Sequence, residues 1–103
     1  MGWIIVFVNT LAFGNYFFFC LYKFHMSYDV VPYNYQWPIL FELEKKEIIG
    51  VLGDNCLCIH HIGSTSIPGI YAKPTIDIIV AATDRNKSIS SLETIGYQYV
   101  GEW

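Results

Sequence analysis

The sequence predicts a mixed α/β (α+β) fold, a sheet with flanking helices, and three observations carry that prediction. Apolar residues recur at helical spacing between Trp37 and Leu52. Two short β-rich runs, Cys56 to Ile62 and Thr75 to Ala82, are set off by glycine, asparagine and proline. The third observation is a compositional break at Met26, before which residues 1–22 hold no charged side chain.

That break divides the chain into an apolar segment, 1–25, and a domain, 26–103. A chain of 103 residues has room for one domain. Only 15% of its residues are charged and 53% are hydrophobic, against about 25% charged in ordinary soluble domains. Two readings of the first segment stand. Residues 3–22 could form a membrane-spanning helix, with Lys23 and His25 then keeping the domain in the cytoplasm. Alternatively, the segment is an upstream extension of a protein that starts at Met26, since Asn9, Thr10, Gly14 and Asn15 interrupt the apolar run. It lacks the basic start and small-residue cleavage site of a signal peptide.

Charge and cysteine content exclude further classes. The net charge is −3, from 6 basic and 9 acidic residues, with no Lys/Arg cluster. Extended nucleic-acid binding through a basic patch is therefore not expected. The cysteines, Cys20, Cys56 and Cys58, are odd in number and do not form a disulfide framework. Free thiols in a reducing, cytoplasmic compartment are the simpler reading.

In order along the domain, Ser27 to Tyr33 reads as an extended lead-in punctuated by Pro32. Pro38 suits a first helical turn, and the helix should run to about Leu52. Trp37, Phe41, Ile48 and Leu52 fall on one face with Leu40 and Val51 beside them, broken only by Lys45. Gly53-Asp54-Asn55 is a stop signal. A strand over Cys56 to Ile62 leads into the loop Gly63-Ser64-Thr65-Ser66, and Pro68-Gly69 and Lys73-Pro74 mark an irregular connection. Thr75 to Ala82 reads as a central strand covered on both faces. Asp84-Arg85-Asn86 offers a turn and a helix cap, Gly96 closes the helix that follows, and a last strand begins at Tyr97.

The candidate site lies in the middle of this succession. Gly63 lets backbone approach a ligand, and the hydroxyls and N–H groups of Ser64, Thr65 and Ser66 can donate to phosphate oxygens. The loop is not a P-loop, because no Gly-Lys-Ser/Thr follows. Nor is it a nucleophile elbow, because Ile67 stands where a second glycine belongs. Asp77 is the sharper feature, a carboxylate inside an apolar strand, and such a group is paired, hydrogen-bonded or metal-bound. One reading bonds it to neighbouring amides or to Lys73. The other gives it a Mg²⁺ ion beside a phosphate held by the loop. Lys73 could itself contact phosphate or could be a solvated loop residue.

The stretches "VVPYNYQWPILFELEKKEI", "HIGSTSIPGIYAKPTIDIIV" and "LETIGYQYVGE" resemble, in that order, the first half of GrpB-like proteins of the nucleotidyltransferase superfamily. The resemblance covers about residues 28–102. It implies a sheet like the palm of DNA polymerase beta, incomplete at its C-terminal side. It implies phosphate binding by Gly63, Ser64, Thr65, Ser66 and Lys73, Asp77 as a metal ligand, and Asp77 and Ser64 as candidate catalytic residues. The cofactor it implies is Mg²⁺, and the activity is transfer of a nucleotidyl group. GrpB-like domains also occur fused to dephospho-coenzyme A kinase, so the resemblance allows a coenzyme A-pathway kinase as partner.

Two departures count against transfer. The position for a second metal carboxylate, two residues on and on the same strand face, is Ile79. The later acid of the superfamily does not occur in this chain. An inactive binding or accessory module, or a truncated fragment, therefore stand beside the active enzyme as expectations. Cys56, Cys58 and His60 alternate and would share a face, but C-x-C-x-H on one strand cannot by itself wrap a zinc ion. His61 is read as shaping the loop. Tyr28, Tyr33, Tyr35 and Trp37 are read as packing, since no basic groove accompanies them.

Overall fold

A computed structural model describes the backbone of residues 3–12, 15–23 and 30–102 and the side chains of residues 30–100. The described elements follow in the order β1 (Trp3–Ala12), β2 (Asn15–Lys23), α1 (Gln36–Leu52), β3 (Cys56–Ile62), β4 (Thr75–Ala82), α2 (Arg85–Glu93) and β5 (Gln98–Glu102). The strands form one mixed sheet in the order β3-β4-β1-β2-β5. β1 runs parallel to β4, and the other neighbours are antiparallel.

The apolar segment at the start of the chain corrects one expectation. The expected membrane helix over 3–22 is not found: Trp3–Ala12 and Asn15–Lys23 are antiparallel strands, paired from Ile4 opposite Lys23 to Ala12 opposite Asn15. Isoleucine and valine dominate β1, and phenylalanine and tyrosine dominate β2; β-branched and aromatic residues favour the pleated conformation. No helix among the described residues is long and apolar enough to cross a membrane. The hairpin places β1 against β4, with Ile5 opposite Asp77 and Phe7 opposite Ile79.

α1 begins at Gln36, which puts Pro38 in its first turn as expected. The Asn34 side chain accepts a hydrogen bond from the Gln36 N–H at 2.8 Å, and its carbonyl accepts from the Trp37 N–H at 3.0 Å. Trp37, Phe41, Ile48 and Leu52 are buried, and Glu44 lies among them on the same face. α1 packs on β3, β4 and α2. Together they enclose a core of Ile59, Ile76, Ile78, Val80, Ala82, Leu92 and Tyr97. α2 starts where the Asp84 side chain accepts from the Lys87 N–H.

β4 is central, as expected, but its two faces differ. Ile76, Ile78, Val80 and Ala82 are buried under the helices, while Thr75, Asp77, Ile79 and Ala81 are half-buried on the other face. A strand covered equally on both sides was expected. The helices supply cover on one side only.

Two buried polar clusters fasten this framework. The Asn55 carboxamide oxygen accepts from the Thr83 N–H, the Thr83 hydroxyl and the Asp84 N–H, at 3.0, 2.6 and 2.6 Å. Its NH₂ donates to Ser88 Oγ at 2.7 Å. One side chain thus joins the turn before β3 to the end of β4 and the start of α2. The second cluster joins α1 to the segment before β5: the Tyr97 hydroxyl donates to Glu44 Oε1 at 2.6 Å. Burial, the Glu44 hydrogen bond and the charges of Glu44 and Glu47 hold that phenol protonated, well above its usual range.

Candidate functional site

The site is built where β3 ends and β4 begins. Ile62, the last residue of β3, pairs with Asp77, so Gly63 leaves the sheet directly beside the carboxylate. Gly63 has φ +78°, the left-handed region that favours glycine. A β-carbon there would also lie 3.1 Å from Asp77 Cγ and nearer still to its Oδ2. Backbone conformation and contact both require glycine. The close approach is the physical reason that the loop and the acid occur together.

Residues Ser64–Ser66 then form a tight 3-10 turn, closed by hydrogen bonds from the Ser66 N–H to the Gly63 carbonyl and from the Ile67 N–H to the Ser64 carbonyl. The Ser66 hydroxyl also donates to the Gly63 carbonyl. Thr65 is buried, and its hydroxyl donates to the Thr75 carbonyl at 2.7 Å. That commits the hydroxyl hydrogen, so the 3.0 Å contact with His61 is a donation from His61 Nε2–H to Thr65 Oγ1. The imidazole stacks on Phe41 with centroids 5.0 Å apart, and burial lowers its pKa. His61 and Thr65 therefore fasten the turn to the first residue of β4. His61 shapes the loop, and Thr65 acts from beneath it.

Ser64 is exposed at the head of the turn, and no described group accepts from its N–H or pairs with its hydroxyl. Asp77 is half-buried on the helix-free face, and no hydrogen bond or ion pair joins it to Lys73 or to any other described residue. Its pKa is raised from 3.8 to about 6 by burial, as expected for a carboxylate between Ile62 and Ile79 without a compensating charge. Lys73 is exposed on the strand approach. The structure thus brings Gly63, Ser64, Ser66 and Asp77 together and leaves Lys73 outside their hydrogen bonds.

Among the described residues, Asp77 is the carboxylate placed against this turn. One oxygen-donor carboxylate without an internal partner fits a single Mg²⁺ shared with ligand phosphates, since that ion is commonly held by one or two carboxylates plus phosphate oxygens and water. It does not fit a two-metal transfer centre. The positions in register with Asp77 are Ile62 on β3 and Ile5 on β1, and the next on its own face is Ile79. Among the described residues no group of three or more His, Cys, Asp or Glu is placed to hold a metal.

The cysteine pattern on β3 is also corrected. A register shift between Cys56 and Cys58 sets them opposite Ala82 and Ala81, so they lie on opposite faces. Cys56 packs towards the core, and burial, with Cys58 nearby, pushes its thiol pKa up against the opposing Lys45. Of the aromatic group, Tyr33 meets Tyr35 and Trp37 edge to face at 5.3 and 5.2 Å. That is packing geometry. Tyr28 lies outside the described residues.

Sequence reasoning missed the Asn55 hub and the Glu44–Tyr97 pair. Glu44 did carry a signal, since it occupies a stripe position three residues after Phe41 and four before Ile48 and so needed a buried donor.

Comparison with known proteins places this geometry. The chain is 43% identical over 74 residues to the UPF0157 protein BH1888 of Halalkalibacterium halodurans, covering 69% of this chain and 38% of that protein. It is 41% identical over 51 residues to the glutamate-rich protein GrpB of Alkalihalophilus pseudofirmus, covering 50% of this chain and 29% of that one. The crystal structure of the conserved protein GrpB from Enterococcus faecalis superposes with a TM-score of 0.64 at 39% identity, over 69% of this chain and 45% of that chain. The matched segment thus spans less than half the length of these relatives. A family model described as GrpB protein matches residues 27–103, and the chain belongs to the GrpB family.

Proposed function

We propose that this domain binds a phosphate-bearing small molecule, with a nucleotide as the reference ligand, at the turn that begins at Gly63, and that it holds this ligand without transforming it. The observation that carries the reading is the pairing of Gly63 with Asp77. A glycine required by both conformation and contact brings a carboxylate without a partner among the described residues against a turn whose first N–H and hydroxyl no described group engages. Ser64 would donate to a phosphate oxygen from its N–H and its hydroxyl. Asp77 would hold Mg²⁺ that enters with the ligand. The ion would supply charge neutralisation at the phosphates. His61 and Thr65 would keep the turn in place.

The superfamily resemblance noted in the sequence supports the nucleotide as reference ligand. Transfer of a nucleotidyl group is the second reading. What disfavours it in this chain is Ile79 on the face of Asp77, where the resemblance would require a second metal carboxylate. An accessory role beside a coenzyme A-pathway kinase agrees with a domain that binds without catalysing.

Thermal melts of the full chain test the proposal, with Mg²⁺ and with ATP, GTP, dephospho-coenzyme A or inorganic phosphate. A ligand at a hundred times its dissociation constant should stabilise by about 2.7 kcal/mol, or at least about 10 °C for a domain of this size. The expected shift needs Mg²⁺ and is lost in Ser64→Ala and Asp77→Asn. No shift with any ligand, or a shift that both variants retain, would refute a site at this turn.

A further inference from the structure

His60 stands beside the candidate site and has no role in it so far. Successive strand residues face opposite sides of a sheet. His61 stacks on Phe41 of α1, so His60 projects from the helix-free side, the side of Asp77. It is exposed there, and no hydrogen bond or ring contact joins it to another described residue.

Register makes the relation to Asp77 definite. Two rows cross the sheet at this place. Ile62 of β3, Asp77 of β4 and Ile5 of β1 stand in register in the first, and His60, Ile79 and Phe7 in the second. Two strand residues separate the rows, about 7 Å along the strands, and rows two residues apart share a face. The first row is the one that Gly63 and the turn abut. The second lies on the side of Asp77 away from the turn. At its centre Ile79 is half-buried, and the imidazole of His60 belongs to the residue directly across from it. The place where a second metal carboxylate would stand is thus an aliphatic floor with an aromatic ring at its border. Such a surface suits a flat, uncharged ring, and histidine is among the side chains on which nucleobases stack.

We infer that His60 is a binding and specificity residue of this site: it stacks on a nucleobase that lies over Ile79, so the ligand is a nucleoside phosphate rather than a phosphate ester without a base. This rests on the reading of the Gly63 turn as a phosphate site. With the phosphates held at the turn and at Asp77, the sugar carries the base across to the second row. Ile79 then serves as the floor under the base.

Isothermal titration calorimetry of the full chain in Mg²⁺ tests this with two probes, ATP and inorganic tripolyphosphate, which has the phosphates and no base. His60→Ala should weaken ATP binding by about 10-fold, the worth of one stacked base, and leave tripolyphosphate binding unchanged. His60→Phe keeps a flat ring without its nitrogens and should restore the affinity for ATP. An equal loss for both probes would make His60 a phosphate contact, and unchanged ATP affinity in His60→Ala would put the base elsewhere. Either result overturns the inference and leaves the turn standing as a phosphate site, as does a His60→Phe variant no better than His60→Ala. If neither probe binds the parent chain, or if binding survives Asp77→Asn, the phosphate site itself fails and the role of His60 with it.

Discussion

Replacing Asp77 by asparagine should stabilise the fold while destroying the site. The carboxyl has its pKa raised by burial from 3.8 to about 6, so the folded state holds this proton more tightly than the unfolded chain does. The stability associated with that proton is fully present below the unfolded value and is lost as pH rises through about 6. Above that, the ionised group destabilises the fold. A shift of about two pH units corresponds to at most about 3 kcal/mol. Asp77 is only half-buried, and solvent screening reduces the figure to about 1–2 kcal/mol. Asparagine keeps the shape and cannot ionise. Asp77→Asn should therefore raise the melting midpoint at pH 7.5 by about 5–12 °C and leave it nearly unchanged at pH 4. Differential scanning calorimetry at both pH values reads this directly. Equal midpoints at pH 7.5, or a variant less stable than the parent, would mean that the carboxylate is well satisfied in the folded domain. A substitution that stabilises the fold and abolishes ligand binding together is the expected signature of a group kept for function at the expense of the fold.

Three further substitutions test the framework that holds the site. Gly63→Ala forces a left-handed backbone on alanine and drives its β-carbon into the Asp77 carboxyl, so it should cost about 2–4 kcal/mol in urea unfolding. Asn55→Ala removes the acceptor for Thr83 and Asp84 and the donor to Ser88, with a loss of about 2–4 kcal/mol by the same assay. Tyr97→Phe takes away the buried hydroxyl that donates to Glu44. It should cost about 1–3 kcal/mol, and a near-neutral result would mean that another donor replaces it.

Much of the domain was legible because its signals are local. The strands Cys56–Ile62 and Thr75–Ala82 lie where glycine, asparagine and proline punctuate β-rich runs, and Asp84 caps the helix it was expected to cap. α1 starts at Gln36 and ends at Leu52, with Pro38 in its first turn as the sequence suggested. The membrane-helix expectation for residues 3–22 failed where local signals do not decide. A charge-free apolar run has the same composition whether it crosses a bilayer or lies within a sheet, and only pairing with a distant strand decides. Non-local contact also explains the other omissions. Glu44 meets a tyrosine 53 residues away, and the slip that separates Cys56 from Cys58 is a property of two strands together. Asp77 was visible at once as an anomaly. That its carboxyl rests against Gly63, without a partner among the described residues, needed the coordinates.

The most direct test of the central claim is a ¹H–¹⁵N correlation spectrum of the full chain, titrated with ATP in the presence and absence of Mg²⁺. The account predicts that the amide resonances of Gly63, Ser64 and Asp77 move saturably and only when Mg²⁺ is present. Amides on the outer face of α1, such as Ile39 and Leu43, should stay in place. Saturable movement centred on another part of the domain, or no movement at millimolar ligand, would contradict the assignment of this turn as a phosphate site.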